Sequence, residues 1–496
     1  MSEVGIVIGE ARPERIKFAS KNAVRVGEYV TVDTEDGEVL YMTEYFKNMS
    51  ELLSGENDYQ TADEARRASK KNPRDLVRVG VARALGLVEE LLKGRRIYPT
   101  VPPEPGASVK HAGDDLLNKI YGGGDERWVD VGHLLRRPSV KITINLDAVA
   151  SRHLAILAAT GKGKSNFLAL LAKKIAEKNG TMVIFDYHGE YLGLRIRGLK
   201  TTRPMINPRH LNSEELADML GVRRSAERQR AMLGKVYTRD VINAADYWGA
   251  LENKLRSIAE DEDAGAQERQ TAQRLLDITR RALSVWGGVF DPSARSPLDT
   301  IVNNRVNVLD ISDLTELQAQ IVVNTYLDNI LQDRKTMVRG GEGKFRSPVV
   351  VAIEEAHVFM PSGESTECSE TIARIAREGR KFGVSLIIVS QRPSRLNSDI
   401  TSQMGSFAIS GITHPNDQNF INQVTDEISK ELGASLTSLN PGEMILVGHF
   451  IKVPALVKTE LVEEKLVGRD LEAVRLWKEE AAAARAYFST EELIRP

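Results

Sequence analysis

Residues 153–178 read HLAILAATGKGKSNFLALLAKKIAEK, and the reading of this stretch decides the fold. An apolar run of strand character, HLAILAA, empties into a turn rich in glycine and lysine, AATGKGKSN at 158–166. The chain then continues as NFLALLAKKIAEK, with apolar residues at helical spacing. A strand that delivers such a turn into a helix makes a phosphate site. Backbone N–H groups point inward, the helix N-terminus adds positive potential, and a lysine reaches the outer phosphates. Gly163, Lys164 and Ser165 fit the end of the pattern G-x-x-x-x-G-K-[ST], in which the lysine contacts the β- and γ-phosphates and the hydroxyl ligates Mg2+, and Gly161 lies within the same turn. Ala158 stands where that pattern begins with glycine, which requires backbone angles an alanine tolerates. Lys162 is an extra cation, read either as a solvated surface lysine or as a further nucleotide contact. Asn166, next in the helix, is counted with the nucleotide contacts.

Working outward, later strands supply acids. VVVAIEEAH at 349–357 ends an apolar run in two carboxylates, at the strand edge where α/β proteins bind ligands. Glu354 is placed to hold the Mg2+ shell and Glu355 to polarise an attacking water. LIIVSQRP puts Gln391 at the end of the following strand, within reach of a γ-phosphate or that water. Asp186-Tyr187-His188-Gly189 has the form D-x-x-G, but no N-K-x-D follows, so guanine recognition is not implied; Glu190 remains near the expected metal. In SETIARIAREGRKFGVS, the cations Arg374, Arg377, Arg380 and Lys381 fall on or near one helical face. They are read either as a favourable last-turn charge or as arginines reaching a neighbouring subunit's phosphate.

Before the turn, GIVIGEA, AVRVGEYVTV and GEVLYMTEYF are short strands at close spacing and predict a small barrel or open sheet. RDLVRVGVARALGLVEELLKG is ambiguous between strand and helix, and the prolines of YPTVPPEPGAS mark a linker. NSEELADML, SAERQRAMLGKVY and QERQTAQRLLDITRRAL form an all-α insertion. Buried strands then return in RVNVLDIS, SPVVVAIEEAH, GVSLIIVSQRP, SFAISGIT and GEMILVG. The expected boundaries are a barrel at 1–100, a linker at 101–139, core segments at 140–207 and 301–463, a helical insertion at 208–300 and a helical tail at 464–496.

Lysine plus arginine (67) nearly cancel aspartate plus glutamate (69), so net charge gives no hint of a nucleic-acid partner and leaves room only for a local basic stripe. The single cysteine, Cys368, excludes a disulfide framework or an intrachain thiolate metal site. No run of eighteen apolar residues exists, so a cytoplasmic protein without a membrane span is expected.

Taken in order, RHLAILAATGKGKSN, IFDYHGEY, IEEAHVF, IAREGRKFGVSLIIVSQRP and IKVPALVKTE resemble the HerA family. These are archaeal hexameric DNA translocases of the HerA/FtsK branch of P-loop ATPases, and the likeness runs over essentially the whole chain. The resemblance implies a RecA-like α/β core with a mostly parallel sheet, an N-terminal β-barrel and an inserted helical bundle. It implies a homohexamer that binds ATP and Mg2+ between subunits and moves double-stranded DNA. Its partner would be the NurA nuclease, acting with Mre11 and Rad50 in end resection for recombination. Carried onto this chain, it makes Lys164 and Ser165 the P-loop lysine and metal ligand, Asp186 and Glu355 catalytic acids, and Gln391 a sensor. Arg380 takes the arginine-finger position, Arg152 lies near the nucleotide, and Lys458 and Thr459 fall beside the adenine. The loops at 360–370 and 394–403 are the candidate DNA contacts. A DNA-independent P-loop ATPase and a motor moving other DNA or protein substrates are the competing readings. The paired acids count against a third, an ATP-binding scaffold that barely turns over.

Overall fold

The computed structural model describes residues 2–54, 58–72, 75–286, 288–425, 427–428, 433, 436–464 and 473–481. Most of the expected tail at 464–496 lies outside them; within them, 473–481 is helical. Six strands close an N-terminal barrel: β1 (Glu3–Val7), β2 (Arg15–Ser20), β3 (Tyr29–Thr34), β4 (Gly37–Ser50), β5 (Leu76–Leu87) and β6 (Ser108–His111), in the order β1-β2-β5-β4-β3-β6. The ambiguous segment resolves as strand β5 followed by a short helix, Val88–Leu92.

The linker expected at 101–139 is corrected. It carries β6, which closes the barrel between β1 and β3, a helix Asp114–Tyr121, and the strand β7 (Trp128–Leu134). The prolines occupy only 99–105, and beyond them the chain can pair again.

The remaining strands are β8 (Arg137–Asn145), β9 (Leu154–Ala158), β10 (Thr181–Asp186), β11 (Leu199–Thr202), β12 (Val306–Asp310), β13 (Val349–Ile353), β14 (Val384–Ser390), β15 (Ser406–Ser410), β16 (Glu443–Gly448) and β17 (Ala455–Thr459). With β7 they form one 11-stranded sheet, ordered β11-β12-β10-β13-β14-β9-β15-β16-β17-β7-β8. From β11 to β15 every pairing is parallel; from β15 to β8 every pairing is antiparallel. The parallel strands are apolar runs because helices cover both faces. LAILA of β9 and VVVAI of β13 are buried at every position. Helices Lys164–Glu177, Glu316–Val338 and Glu367–Phe382 make the crossovers out of β9, β12 and β13. Five helices between Ser213 and Trp286 interrupt the core after β11. This is a RecA-like α/β fold. No helix among the described residues is long and apolar enough to cross a membrane.

Candidate active site

The sheet brings the carboxyl ends of β9, β10, β13 and β14 together, and the turn after β9 lies among them. Ala158 is the last residue of β9, fully buried and paired in register with Ser410 of β15. Extended backbone suits an alanine, so the missing glycine costs the loop nothing. The glycines that matter come later: Gly161 has φ 74° and Gly163 has φ 102°, both left-handed. Gly163 caps the helix Lys164–Glu177, and a Cβ there would sit 3.0 Å from the Gly442 nitrogen. Position 163 therefore admits only glycine on both counts.

Lys164 leaves the loop buried and donates from Nζ to Glu355 Oε1 at 2.7 Å. Glu355 itself sits at φ 47°, ψ 45°, a left-handed conformation that costs a non-glycine residue on the order of 1–3 kcal/mol. The strain turns its carboxylate back toward the loop. Its other oxygen lies 3.2 Å from His357 Nδ1, and His357 in turn lies 3.3 Å from Ser390 Oγ at the end of β14. Burial pushes the Glu355 carboxyl up, but the His357 hydrogen bond and the Lys164 charge outweigh it and hold the group down at about 2. Its neighbour takes the opposite state. Burial, reinforced by the charges of Glu190 and Asp186, pushes Glu354 up to about 8. Two adjacent carboxyls are thus pushed apart, Glu355 held ionised and Glu354 shifted toward its protonated form.

Asp186 ends β10 beside them and accepts from the Glu190 and Tyr191 nitrogens at 2.9 and 2.8 Å; burial raises it as well. The His188 nitrogen approaches Glu354 Oε2 at 3.4 Å, whereas Glu354 Oε1 is buried without a hydrogen-bond partner. An orphaned carboxylate oxygen, a second buried acid and the Ser165 hydroxyl in the first turn of the P-loop helix are a hard-oxygen donor set, and they fit Mg2+. Gln391, just past β14, is tied to the loop directly: Thr160 Oγ1 donates to its Oε1 at 2.5 Å. A cleft of about 540 Å³ opens beside Glu355, His357 and Gln391, with Arg392 and Arg395 at its rim.

Several residues expected at the nucleotide have partners within the protein. Lys162 is half-buried and held from within the protein. Its Nζ donates to the Leu439 carbonyl at 2.7 Å and its backbone oxygen accepts from Gly442. Lys458 and Thr459, on β17, hold the same turn, donating to Pro441 O at 2.7 Å and Gly442 O at 3.1 Å. Asn166 spends its amide on the chain after β17, with Glu460 O at 2.7 Å and the Val462 nitrogen at 2.9 Å. All four lie close to the loop, but their polar atoms brace the 439–442 turn and the strand exit against it.

Arg152 and Arg380 lie elsewhere. Arg152 precedes β9 and Arg380 precedes β14, whereas Thr160 and Gln391 follow those strands. Seven residues of β14 at about 3.3 Å each put roughly 20 Å between Arg380 and Gln391. The two arginines instead share the amino-terminal edge with His449. Arg152 Nη1 donates to His449 Nε2 at 3.3 Å, and burial, then Arg152 and then Arg380, depress that imidazole. Arg374 is neutralised by Asp328 at 2.9 Å.

The loops proposed to touch DNA also border a larger cleft, about 980 Å³, under the helical insertion. Its wall holds Glu215, Asp328, Glu367 and Asp399 against Arg374 and Arg377, so carboxylates outnumber cations there. Sequence reasoning missed Thr160, His357 and His449. His357 follows the paired acids directly and was open to notice, whereas the pairing of His449 with Arg152 spans 297 residues and leaves no local trace.

A family model described as the central domain of the helicase HerA matches residues 129–330. A probable helicase of Methanocaldococcus jannaschii is 32% identical, over 99% of this chain and 96% of its own. The DNA double-strand break repair helicase HerA of Saccharolobus solfataricus is 31% identical, over 98% and 99% respectively. The solved structure of VirB4 of Thermoanaerobacter pseudethanolicus has a TM-score of 0.48 at 16% identity, covering 70% of this chain and 99% of that chain. Such identity over nearly the full length of both relatives, with the family model on the core, makes this chain a member of the HerA helicase family.

Proposed function

We propose that the protein is an ATP-driven motor that assembles as a homohexamer and moves double-stranded DNA. One observation carries the reading: a complete hydrolytic set on one edge of the sheet, with a pair of arginines on the other. Within one chain Arg380 lies roughly 20 Å from Gln391, too far to act on the phosphates there. Between chains in a ring, the amino-terminal edge of one core meets the P-loop edge of the next, and Arg380 and Arg152 reach a neighbour's phosphates.

Lys164 is held by Glu355. The β- and γ-phosphates of ATP draw Lys164 onto themselves, which frees the Glu355 carboxylate to orient and deprotonate the attacking water. Gln391 contacts that water or the γ-phosphate and transmits its loss through Thr160 and β14. Ser165 and Glu354, with Asp186 behind them, would hold Mg2+, which would supply positive charge against the phosphates. Arg380 of the adjacent subunit stabilises the charge that develops in the transition state.

The relative in Saccharolobus solfataricus carries the name of a double-strand break repair helicase. This supports a role in double-strand break repair here, and to it we add, as our own reading, resection of DNA ends in the cytoplasm with a NurA-type nuclease received on the barrel and Mre11 and Rad50 acting alongside. The barrel, residues 2–112, would serve as the collar, and the helices between 213 and 286 as an insertion on the core. ATP hydrolysis measured with and without linear double-stranded DNA tests this, beside Lys164→Ala and Arg380→Ala. DNA stimulation of the wild type, loss in both variants and retained ATP binding by Arg380→Ala are expected. Indifference to DNA together with full activity of Arg380→Ala would leave a small-molecule ATPase.

A further inference from the structure

His153 stands between Arg152 and the first residue of β9, and it is the residue there that the catalytic reading leaves unused. Its backbone is left-handed, φ 58°, ψ 154°, which an ordinary side chain adopts only under constraint. The ring is buried, 3% exposed. Nδ1 accepts the Leu386 N–H of β14 at 2.9 Å, and the ring also engages the backbone of Ala376.

These contacts are specific in where they fall. Ala376 lies one helical turn before Arg380, so its carbonyl also takes the intrahelical bond from the Arg380 nitrogen. Leu386 lies in the first turns of chain after the same arginine, beyond the Gly383 cap. A single imidazole therefore touches both segments that flank Arg380, while its own backbone leads directly out of Arg152. Burial keeps the ring neutral, its pKa lowered to about 4, so one nitrogen is free to accept while the other donates.

We propose that His153 is a positioning residue that fixes Arg152 and Arg380 relative to each other at the edge presented to the neighbouring subunit. The inference rests on the shared-site reading above. It adds that the spacing of the two arginines is set by one side chain that never touches nucleotide. The strained φ is the consequence: the backbone gives up its preferred angles so that the ring can turn into the space between β14 and the helix.

The test uses the full-length protein and two substitutions. His153→Gly accepts the backbone angle freely and deletes the ring. His153→Asn keeps a side chain on the same strained backbone, as histidine does, and places a carbonyl oxygen near the position of Nδ1. In DNA-stimulated ATP hydrolysis, His153→Gly is expected to lower kcat by about ten- to a hundredfold, the cost of misplacing a catalytic group by about an ångström. KM for ATP and ring assembly should stay as in the wild type, and His153→Asn should recover most of the loss.

Mixed rings give a readout that a general packing role would not move. Lys164→Ala subunits have a dead P-loop but an intact arginine edge, so mixing them with His153→Gly subunits should restore turnover, as mixing with Arg380→Ala should. Full activity of His153→Gly alone would overturn the proposal. So would loss of activity that Lys164→Ala subunits rescue for Arg380→Ala but not for His153→Gly. If Arg380→Ala is not rescued either, the shared site itself is wrong, and this inference falls with it.

Discussion

At the scale of single residues, the two adjacent glutamates do different work because their surroundings differ. Glu355 is buried beside Lys164 and His357 and stays ionised; Glu354 is buried beside other acids and is protonated. Glu355→Gln should therefore bind ATP but lose about 10²- to 10⁴-fold in kcat, read by comparing nucleotide binding with steady-state hydrolysis. The Glu354 shift also has a consequence for stability. With a folded pKa of about 8 against an ordinary 4.5, Glu354 carries a proton when folded and loses it on unfolding anywhere in that window. Unfolding then releases a proton, so stability falls as pH rises from about 4.5 to about 8. In nucleotide-free protein, Glu354→Gln should remove that fall. Melting temperatures of the two proteins at both ends of the window check it, and parallel curves would refute it. Glu355 shifts the other way: its contribution is present above 4.5 and is lost as pH falls toward about 2, below the window.

At the scale of elements, what the sequence revealed depended on how local the chemistry was. The loop after β9, the acids after β13 and the glutamine after β14 were legible because each motif lies within a few residues of the strand that presents it. The side-chain partners were not. Lys162, Asn166, Lys458 and Thr459 are residue types that bind nucleotides, yet each is committed to a carbonyl or amide hundreds of residues away or across a turn. The strand β6 escaped notice because four residues behind a proline-rich stretch carry no periodic signal. Lys162→Met separates the two readings of that lysine. It keeps the stem that packs against Gly411 and removes the ammonium that caps Leu439. Chemical denaturation should show a loss of about 1–3 kcal/mol from the unsatisfied carbonyl, with KM for ATP changed by less than about threefold. A KM raised by about tenfold or more, with stability intact, would return Lys162 to the phosphates.

At the scale of the whole molecule, the barrel has an apolar interior of its own, with Val7, Phe18, Val30, Val39 and Val109, while its other side joins the core of the sheet. Tyr29, Leu40, Met42, Leu85 and Leu91 of the barrel side belong to the same apolar cluster as Tyr121, Val129 and the central strands. Tyr121 donates to the Pro454 carbonyl, just before β17, at 3.0 Å, and the Tyr29 hydroxyl approaches the same oxygen at 3.5 Å. Arg137 of β8 then pins the barrel loop. It pairs with Glu28 at 2.6 Å and Asp114 at 2.7 Å, and Glu28 is nearly buried. A collar attached by a flexible tether would transmit nothing to a motor, whereas one built into the core moves with β17, whose residues brace the P-loop turn. The two parts should therefore unfold together. Calorimetry of the wild type should give one cooperative transition. Arg137→Ala strands the Glu28 carboxylate and should lower stability by about 1–3 kcal/mol without splitting that transition. Two separate transitions, in either protein, would mean that the barrel is an independent domain.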